Sequence, residues 1–277
     1  MATVEIKRRG KWLMKGRFKC FDDLTYRMPG HFINYPFNPA LSVFFNNTFS
    51  MNVDQVTDED ALAEYIPEEF EILRPCVSWG YCNCRDVDFL AGGEYIILQA
   101  TVPVRFDTGT EVIEGPYPLI IYENNAIPVI GGREETGMPK RVCDISCEHH
   151  YEDHYWAAAS FESETILKMD IRVTGEPEKV NERVRMDNLG NRMLPNVEKG
   201  GNAYHDIVLY PQYVEFDKVW VGSGEITIET PIPYKNWQAH SILSALEELP
   251  VRRYENASVS WGRVEFAVAE SRVLKTY

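Results

Sequence analysis

Residues 94–104, with the sequence EYIILQATVPV, decide the fold class. The run is dominated by apolar and β-branched side chains and is short for a core helix, so it predicts a largely buried strand. Similar short apolar or alternating runs lie on both sides of it, separated by Gly, Pro and Asp. They occupy residues 76–84, 118–122, 155–161, 165–173, 205–210, 213–221, 225–228 and 264–268.

Helical patterns are few. Residues 57–66 begin with a capping signal in Thr57, with Asp60 three residues later, and Pro67 ends the segment. Residues 241–249 carry apolar side chains at helical spacing. Many strands, two short helices and no alternation of strand with helix predict a mainly β (α+β) fold. We expect an antiparallel barrel or sandwich with a few short peripheral helices.

Three stretches lie outside the regular pattern. Residues 175–177, Gly-Glu-Pro, predict a turn. Residues 178–201 are polar, charged and rich in Asn and Gly, so we expect a long exposed loop there. Residues 1–45 begin basic and become aromatic, which predicts an extended amino-terminal arm on a single domain that spans residues 1–277.

The composition is that of a folded globular protein. Apolar residues make up 44% of the 277 residues, and 42 acidic against 28 basic side chains give a formal net charge of -14. That charge argues against nucleic acid or an anionic membrane surface as a partner, because both require clustered cations. The six cysteines are too few for a disulfide scaffold, and no apolar run reaches about eighteen residues, so we expect a cytoplasmic protein.

The chemistry is concentrated in residues 131–141, GGREETGMPKR, where two cations follow a proline in an acidic protein. The three glycines permit positive φ and Pro139 fixes φ, so we expect a shaped loop. Repulsion from Arg141 disfavours the charged form of Lys140, and burial acts in the same direction. A neutral amine in a dry pocket attacks a carbonyl carbon and forms an imine, whose protonated nitrogen accepts electrons. Lys140 is therefore the candidate catalytic residue, with Arg141 beside it.

This segment resembles the active-site loop of the acetoacetate decarboxylase family, in its Gly-Arg-Glu and in the later Gly-x-Pro-Lys with a second cation. Weaker similarity extends over roughly residues 45–277. The family's Schiff-base lysine falls on Lys140 and its second basic residue on Arg141; acetoacetate decarboxylase is itself a known case of a lysine activated by a neighbouring cation. The resemblance implies a closed, cone-like barrel that holds the lysine in its interior, and a homo-oligomer.

Three positions depart from the family pattern. Its decarboxylating members carry an arginine and two acidic residues where this chain has Thr48, Gly80 and Ile97. The resemblance assigns those acids to orienting, or discriminating against, the substrate carboxylate. Their absence weakens the case for acetoacetate as the substrate and leaves imine formation open.

Four further residues are candidate contacts for the substrate. Glu94 and Tyr95 lie near the position of a missing acid and offer a displaced acid or a hydrogen-bond donor. Tyr122 lies on the strand that enters the loop. Arg105 supplies a cation that would attract an anionic substrate against the field of an acidic protein.

A zinc site is the rival interpretation of the cysteines. Cys76, Cys82 and Cys84 lie close in sequence, but their spacing does not match that of paired zinc knuckles. The later cysteine pair before His149 and His150 does not match it either. We therefore expect no metal.

The predicted function is that of a lyase acting on a small or medium oxo acid through a Schiff base on Lys140, by decarboxylation. No external cofactor is expected, because the protonated imine accepts the electrons. The alternatives are a Schiff-base aldolase or dehydratase on oxo acids, and a non-catalytic ligand-binding barrel.

Overall fold

The computed structural model describes residues 17–36, 42–180, 182–198 and 200–277. Residues 1–16 and 37–41 of the predicted arm therefore lie outside the described residues. None of the described helices is long and apolar enough to cross a membrane.

Contacts divide the chain into two compact units, Met1–Ala40 and Leu41–Tyr277. In the first unit, strands β1 (Leu24–Arg27) and β2 (Ile33–Pro36) form an antiparallel hairpin. The second unit contains every residue of the candidate site described below.

The second unit is built on one large sheet of fourteen strands from the described residues. These are β3 (Val43–Val56), β4 (Phe70–Ile72), β5 (Cys76–Val87), β6 (Gly93–Asp107), β7 (Val112–Glu123), β8 (Lys140–Val142), β9 (Asp144–Ile145), β10 (His149–Tyr151), β11 (His154–Phe161), β12 (Glu164–Glu178), β13 (Arg183–Pro195), β14 (Asn202–Ile228), β15 (Arg253–Phe266) and β16 (Arg272–Thr276). Its main path runs β10-β11-β12-β14-β15-β3-β5-β6-β7-β8. The sheet curls into a half-barrel with few helices, which confirms the mainly β class.

Three α-helices accompany the sheet among the described residues. They are α1 (Glu59–Ala63), α2 (Ala126–Glu135) and α3 (Trp237–Glu247), and single 3₁₀ turns occupy Asp88–Leu90 and Val268–Glu270.

The large core lies on one face of the sheet. Along β6, Ile96, Leu98 and Ala100 alternate with less buried residues, as expected for a strand with two unlike faces. Leu98 is paired with Tyr122 on one side and with Tyr81 on the other, and all three side chains are buried. The opposite face of these strands carries the candidate site.

Strand β7, helix α2 and strand β8 form a βαβ unit, which the sequence did not predict. Strand β8 pairs with β7 in parallel, with Lys140 opposite Ile121; the other strand pairs are antiparallel. A parallel pair requires a crossover connection, and α2 provides it. This unit fixes the position of Lys140 in the sheet.

Helix α1 begins one residue later than predicted. The side chain of Asp58, and not that of Thr57, accepts the hydrogen bond from Ala61 N at 3.2 Å. Both residue types are good helix caps, so the sequence signal allowed either register. Helix α3 begins earlier than the predicted Ser241, because Asn236 accepts a hydrogen bond from Ala239 N at 3.0 Å.

This earlier start of α3 can be tested by mutation. We expect Asn236→Ala to lower the free energy of unfolding by about 1 kcal/mol, because a helix amide loses its cap. Ser241→Ala, at the predicted start of the helix, is the control. The hydroxyl of Ser241 donates a hydrogen bond to the carbonyl oxygen of Trp237 within the helix. We expect its removal to change the free energy of unfolding by at most a few tenths of a kcal/mol. Equal losses in denaturant melts of the two variants would contradict the cap assignment.

Two predictions about the second half of the chain are wrong. Residues 175–177 do not end a strand, because β12 continues to Glu178 with an irregular register after Thr174. The predicted exposed loop contains β13, which pairs along β14 from Arg183 to Pro195. Polar strands at a sheet edge lack the apolar alternation on which the prediction relied.

Candidate active site

The segment that presents Lys140 is a helix followed by a short strand. Asn125 caps α2 with its side-chain oxygen. Pro128 is tolerated because the first helical turn needs no backbone donor at that position. The prediction of a loop over all of residues 131–141 is wrong, since α2 includes residues 131–135.

Gly137 makes the turn between α2 and β8. Its φ is 69°, in the region that favours glycine. A Cβ at this position would lie 2.5 Å from the Cα of Arg192, too close for any other residue. The turn therefore requires glycine, and it delivers Lys140 to its register opposite Ile121.

Lys140 is buried with a carboxylate. Its Nζ lies 2.7 Å from Oε1 of Glu123 and donates a hydrogen bond to the carbonyl oxygen of Pro128 at 3.2 Å. The side chains of Lys140 and Glu123 are 9% and 0% exposed. A buried charge is tolerated only when it is paired, so each of these groups depends on the other.

Glu123 is the site residue that sequence analysis missed. Burial raises its pKa above the usual value of 4.5, and the nearby Lys140 opposes that rise. A signal existed, because Glu123 follows Ile121 by two residues and alternation places both side chains on one face of β7. What the sequence did not supply is the parallel register that brings Lys140 beside it.

The face around Lys140 includes the three positions that depart from the family pattern. Glu123 is the register partner of Ile97, and Gly80 is the partner of Gln99, which in turn faces Ile121. Thr48 pairs with Cys84, which lies four residues beyond Gly80 on the same face of β5. The structure thus brings Thr48, Gly80 and Ile97 to one surface, with no charged side chain among them.

Two small apolar clusters line this face. One consists of Ile121, Met138 and Tyr210. The other contains Phe45, Cys84, Val87 and Tyr95, and Ile97 and Phe266 pack against both clusters. The lysine–glutamate pair therefore lies in apolar surroundings, where water screens its charges poorly.

The structure places Arg141 and Tyr122 on the other face. Arg141 and Tyr122 pair with each other in the sheet. Arg141 follows Lys140 by one residue, and Tyr122 follows Ile121 by one residue. The guanidinium of Arg141 donates a hydrogen bond to Oε1 of Gln238 in α3. Burial raises the pKa of Tyr122, whose hydroxyl has no hydrogen-bond partner among the described residues. Alternation along the strands turns both side chains away from Lys140.

Of the remaining candidates, Tyr95 lies on the face of Lys140, close to Glu123. It is buried beside Cys84, and burial raises its pKa well above the usual range. Glu94 is exposed and lies 3.8 Å from Arg85. Arg105 pairs with Glu71 at 3.3 Å near the far end of β6. Six residues separate it from Gln99, or roughly 20 Å along a strand, so it does not reach Lys140.

The cysteines do not form a metal cluster. Among the described residues, no group of three or more His, Cys, Asp or Glu side chains converges as metal ligands would. Cys82 and Cys84 contact each other at 3.5 Å between their sulfur atoms. Cys143 donates a hydrogen bond to the carbonyl oxygen of Ser160 at 2.9 Å.

A separate cleft of about 320 Å³ lies beside the turn that precedes Lys140. It is lined by residues of β7, the 137–139 turn and α3, including Tyr117, Pro139 and Ser241. Lys140 and Glu123 do not line it, so this cleft and the buried ion pair are different features.

The fold and the site together define a mainly β protein with a curled sheet. The last strand of that sheet is parallel to its neighbour, and a lysine–glutamate pair is buried there. Residues 28–275 match the acetoacetate decarboxylase family. This chain belongs to that family.

Two relatives illustrate the sequence similarity. Acetoacetate decarboxylase 1 of Bradyrhizobium diazoefficiens is 29% identical over 187 residues, which cover 58% of this chain and 71% of that protein. An acetoacetate decarboxylase of Burkholderia mallei is 23% identical over 207 residues, covering 74% and 80%.

Solved structures show the same fold. The acetoacetate decarboxylase of Legionella pneumophila has a TM-score of 0.71 at 18% identity, covering 88% of this chain and 92% of that one. The enduracididine biosynthesis enzyme MppR, complexed with pyruvate, has a TM-score of 0.66 at 15% identity, covering 87% and 93%. An acetoacetate decarboxylase-like enzyme of Sphingomonas wittichii has a TM-score of 0.67 at 14% identity, covering 87% and 95%.

Proposed function

We propose that this protein is a lyase that acts on a small or medium oxo acid through a Schiff base on Lys140. The observation that carries the proposal is the burial of Lys140 in apolar surroundings, with its Nζ 2.7 Å from Glu123 Oε1. Family membership supports the same residue as the nucleophile.

The chemistry follows from the amine. Lys140 attacks the carbonyl carbon of the substrate, and loss of water gives an imine that is protonated at neutral pH. The protonated nitrogen accepts the electron pair released when a carboxylate β to the original carbonyl leaves as carbon dioxide. No external cofactor is needed for this step.

A second reaction, aldol condensation with dehydration on an oxo acid, is also supported. The resemblance to the family implies an arginine and two acids at Thr48, Gly80 and Ile97, and this chain has no charged side chain at those three positions. MppR has been solved with pyruvate and with the condensation product of pyruvate and an aldehyde. In that route the imine on Lys140 keeps its carboxylate and loses a proton from the neighbouring carbon, and the resulting enamine attacks the aldehyde.

Imine formation is tested by trapping. Sodium borohydride reduces an imine to a stable amine, so intact mass and peptide mapping should place one adduct on Lys140 after incubation with 2-oxo and 3-oxo acids such as pyruvate and acetoacetate. Lys168→Gln is the matched control, because it removes an exposed lysine that also pairs with a glutamate. We expect this variant to label like the wild type.

The outcomes separate the three functions. Adduct formation with release of carbon dioxide supports the decarboxylase, and adduct formation with consumption of an added aldehyde supports the aldolase. No adduct on Lys140 across the panel, under conditions in which an acetoacetate decarboxylase is labelled, would exclude both and leave a ligand-binding barrel.

We further propose a cytoplasmic homo-oligomer. All six cysteines are free thiols, which is the expected state in a reducing compartment. Light scattering on the full chain would determine the number of subunits, and a monomer at micromolar concentration would contradict the proposal.

A further inference from the structure

Glu123 differs from the other carboxylates that pair with a lysine in the described residues. Glu229 and Glu164, the partners of Lys168 and Lys235, are both more than one third exposed, and Glu69, the partner of Lys275, is 18% exposed. Glu123 is completely buried; its Oε1 lies 2.7 Å from Lys140 Nζ, and neither carboxylate oxygen has a partner with full hydrogen-bond geometry among the described residues. A surface pair contributes little, whereas a buried pair in direct contact can exchange a proton.

The groups that face Glu123 leave it as the proton acceptor for Lys140. On β6, burial raises the pKa of Tyr95 well above its usual range. On β5, contact with Cys82 and burial raise the pKa of Cys84 in the same way. Contact with Cys84 lowers the pKa of Cys82, the third titratable group on this face, but its sulfur contacts that of Cys84 at 3.5 Å, and Glu123 is the group in direct contact with the amine.

Schiff-base chemistry at Lys140 requires a proton to move twice. The ammonium must lose a proton before it can attack, and the hydroxyl of the carbinolamine must gain one before it leaves as water. Both positions lie at or next to Nζ, and a group that serves them has to be within hydrogen-bond reach. Glu123 Oε1, at 2.7 Å, meets that requirement.

We propose that Glu123 carries this proton, an inference that rests on the Schiff-base function proposed above. First, the Lys140 ammonium gives its proton to the Glu123 carboxylate, which leaves a neutral amine and a carboxylic acid. Second, the amine adds to the carbonyl carbon, the carbon–oxygen double bond becomes a single bond, and one proton of the nitrogen passes to that oxygen to give the carbinolamine. Third, the carboxylic acid protonates the departing hydroxyl, so that the products are a protonated imine, one water molecule and the regenerated carboxylate.

Glu123 supplies an acid next to Ile97. It lies on β7 directly opposite Ile97 of β6, one of the three positions at which this chain departs from the family pattern. The carboxylate in this chain approaches the amine from the neighbouring strand. Its role is that of a proton carrier for imine formation, independent of which reaction the enamine then undergoes.

The rate of acetylation of Lys140 and the rate of imine formation, both measured in Glu123→Gln, test the inference. Removing the carboxylate favours the neutral amine, so acetylation of Lys140 by acetic anhydride near pH 7 should become faster. Imine formation, measured by quenching with borohydride at increasing times, should become slower by on the order of 100-fold, because the proton carrier is lost. Glu123→Asp keeps a carboxylate and should restore the imine rate to within about tenfold of wild type.

Glu229→Gln, which breaks the exposed pair with Lys168, is the matched control and should change neither rate. A counterion without a proton-carrier role predicts that Glu123→Gln accelerates acetylation and imine formation together, and that result would overturn the inference alone. Absence of an adduct in the wild type would overturn the Schiff-base function, and the role of Glu123 with it. If Glu123→Gln fails to fold, an imine rate in Glu123→Asp within about tenfold of wild type supports the inference, and a larger loss overturns it.

Discussion

Lys140→Met should abolish the borohydride adduct and make the protein less stable by about 3–5 kcal/mol near pH 8. The adduct is lost because the buried amine of Lys140 is removed. Stability is lost because Glu123, whose side chain is 0% exposed, is left without its cation. Methionine fills a similar volume, so a cavity contributes little to the expected change.

The loss of stability in this variant should depend on pH. Burial raises the pKa of Glu123 and Lys140 opposes that rise, so removing the lysine raises the pKa further. A carboxyl group whose folded-state pKa is raised stabilises the fold below its unfolded value of 4.5, and that stability disappears as pH rises through the folded pKa. Denaturant melts near pH 5 should therefore show a smaller loss than melts near pH 8.

Two further variants are the controls. Lys168→Met removes an exposed partner of Glu229 and should change stability by less than about 1 kcal/mol at either pH. The double variant Lys140→Met with Glu123→Leu removes both charges and should recover most of the lost stability while remaining without an adduct. An equal loss at both pH values would show that Glu123 is not the group left uncompensated.

Gly132→Ala should slow imine formation by on the order of 100-fold, because an error of about 1 Å in the position of a reacting group has that effect. A Cβ on Gly132 would lie 2.6 Å from Cδ and 2.7 Å from Cε of Lys140. The lysine chain would have to move, and its Nζ would leave Glu123 and the carbonyl oxygen of Pro128. The measurement is the same time-resolved borohydride quench.

Gly131→Ala is a closely matched control. Gly131 is the preceding residue of the same helix, and a Cβ there would meet no atom within 4 Å. We expect its imine rate to equal that of the wild type and its stability to rise by about 0.5–1 kcal/mol, because alanine is a better helix residue than glycine. Equal imine rates in the two variants would show that the contact between Gly132 and Lys140 does not position the amine.

The local pattern of the sequence determined the mainly β class, and the segment around Lys140 identified the family. Runs such as residues 94–104 become strands because their alternation fixes which side chains are buried. Helix caps were less well determined, since Asp58 and Asn236 compete with neighbours that could serve equally well. Strand β13 was missed because its polar residues carry no alternation signal.

Only the tertiary structure decided which residues meet Lys140. Glu123 is seventeen positions earlier in the chain, and the parallel register of β8 on β7 brings the two together. The same register turns Arg141 to the opposite face, toward Gln238, although it is the immediate neighbour of Lys140. Spacing along the chain fixes which face of a strand a side chain occupies, but strand pairing, which depends on distant residues, fixes what lies across from it.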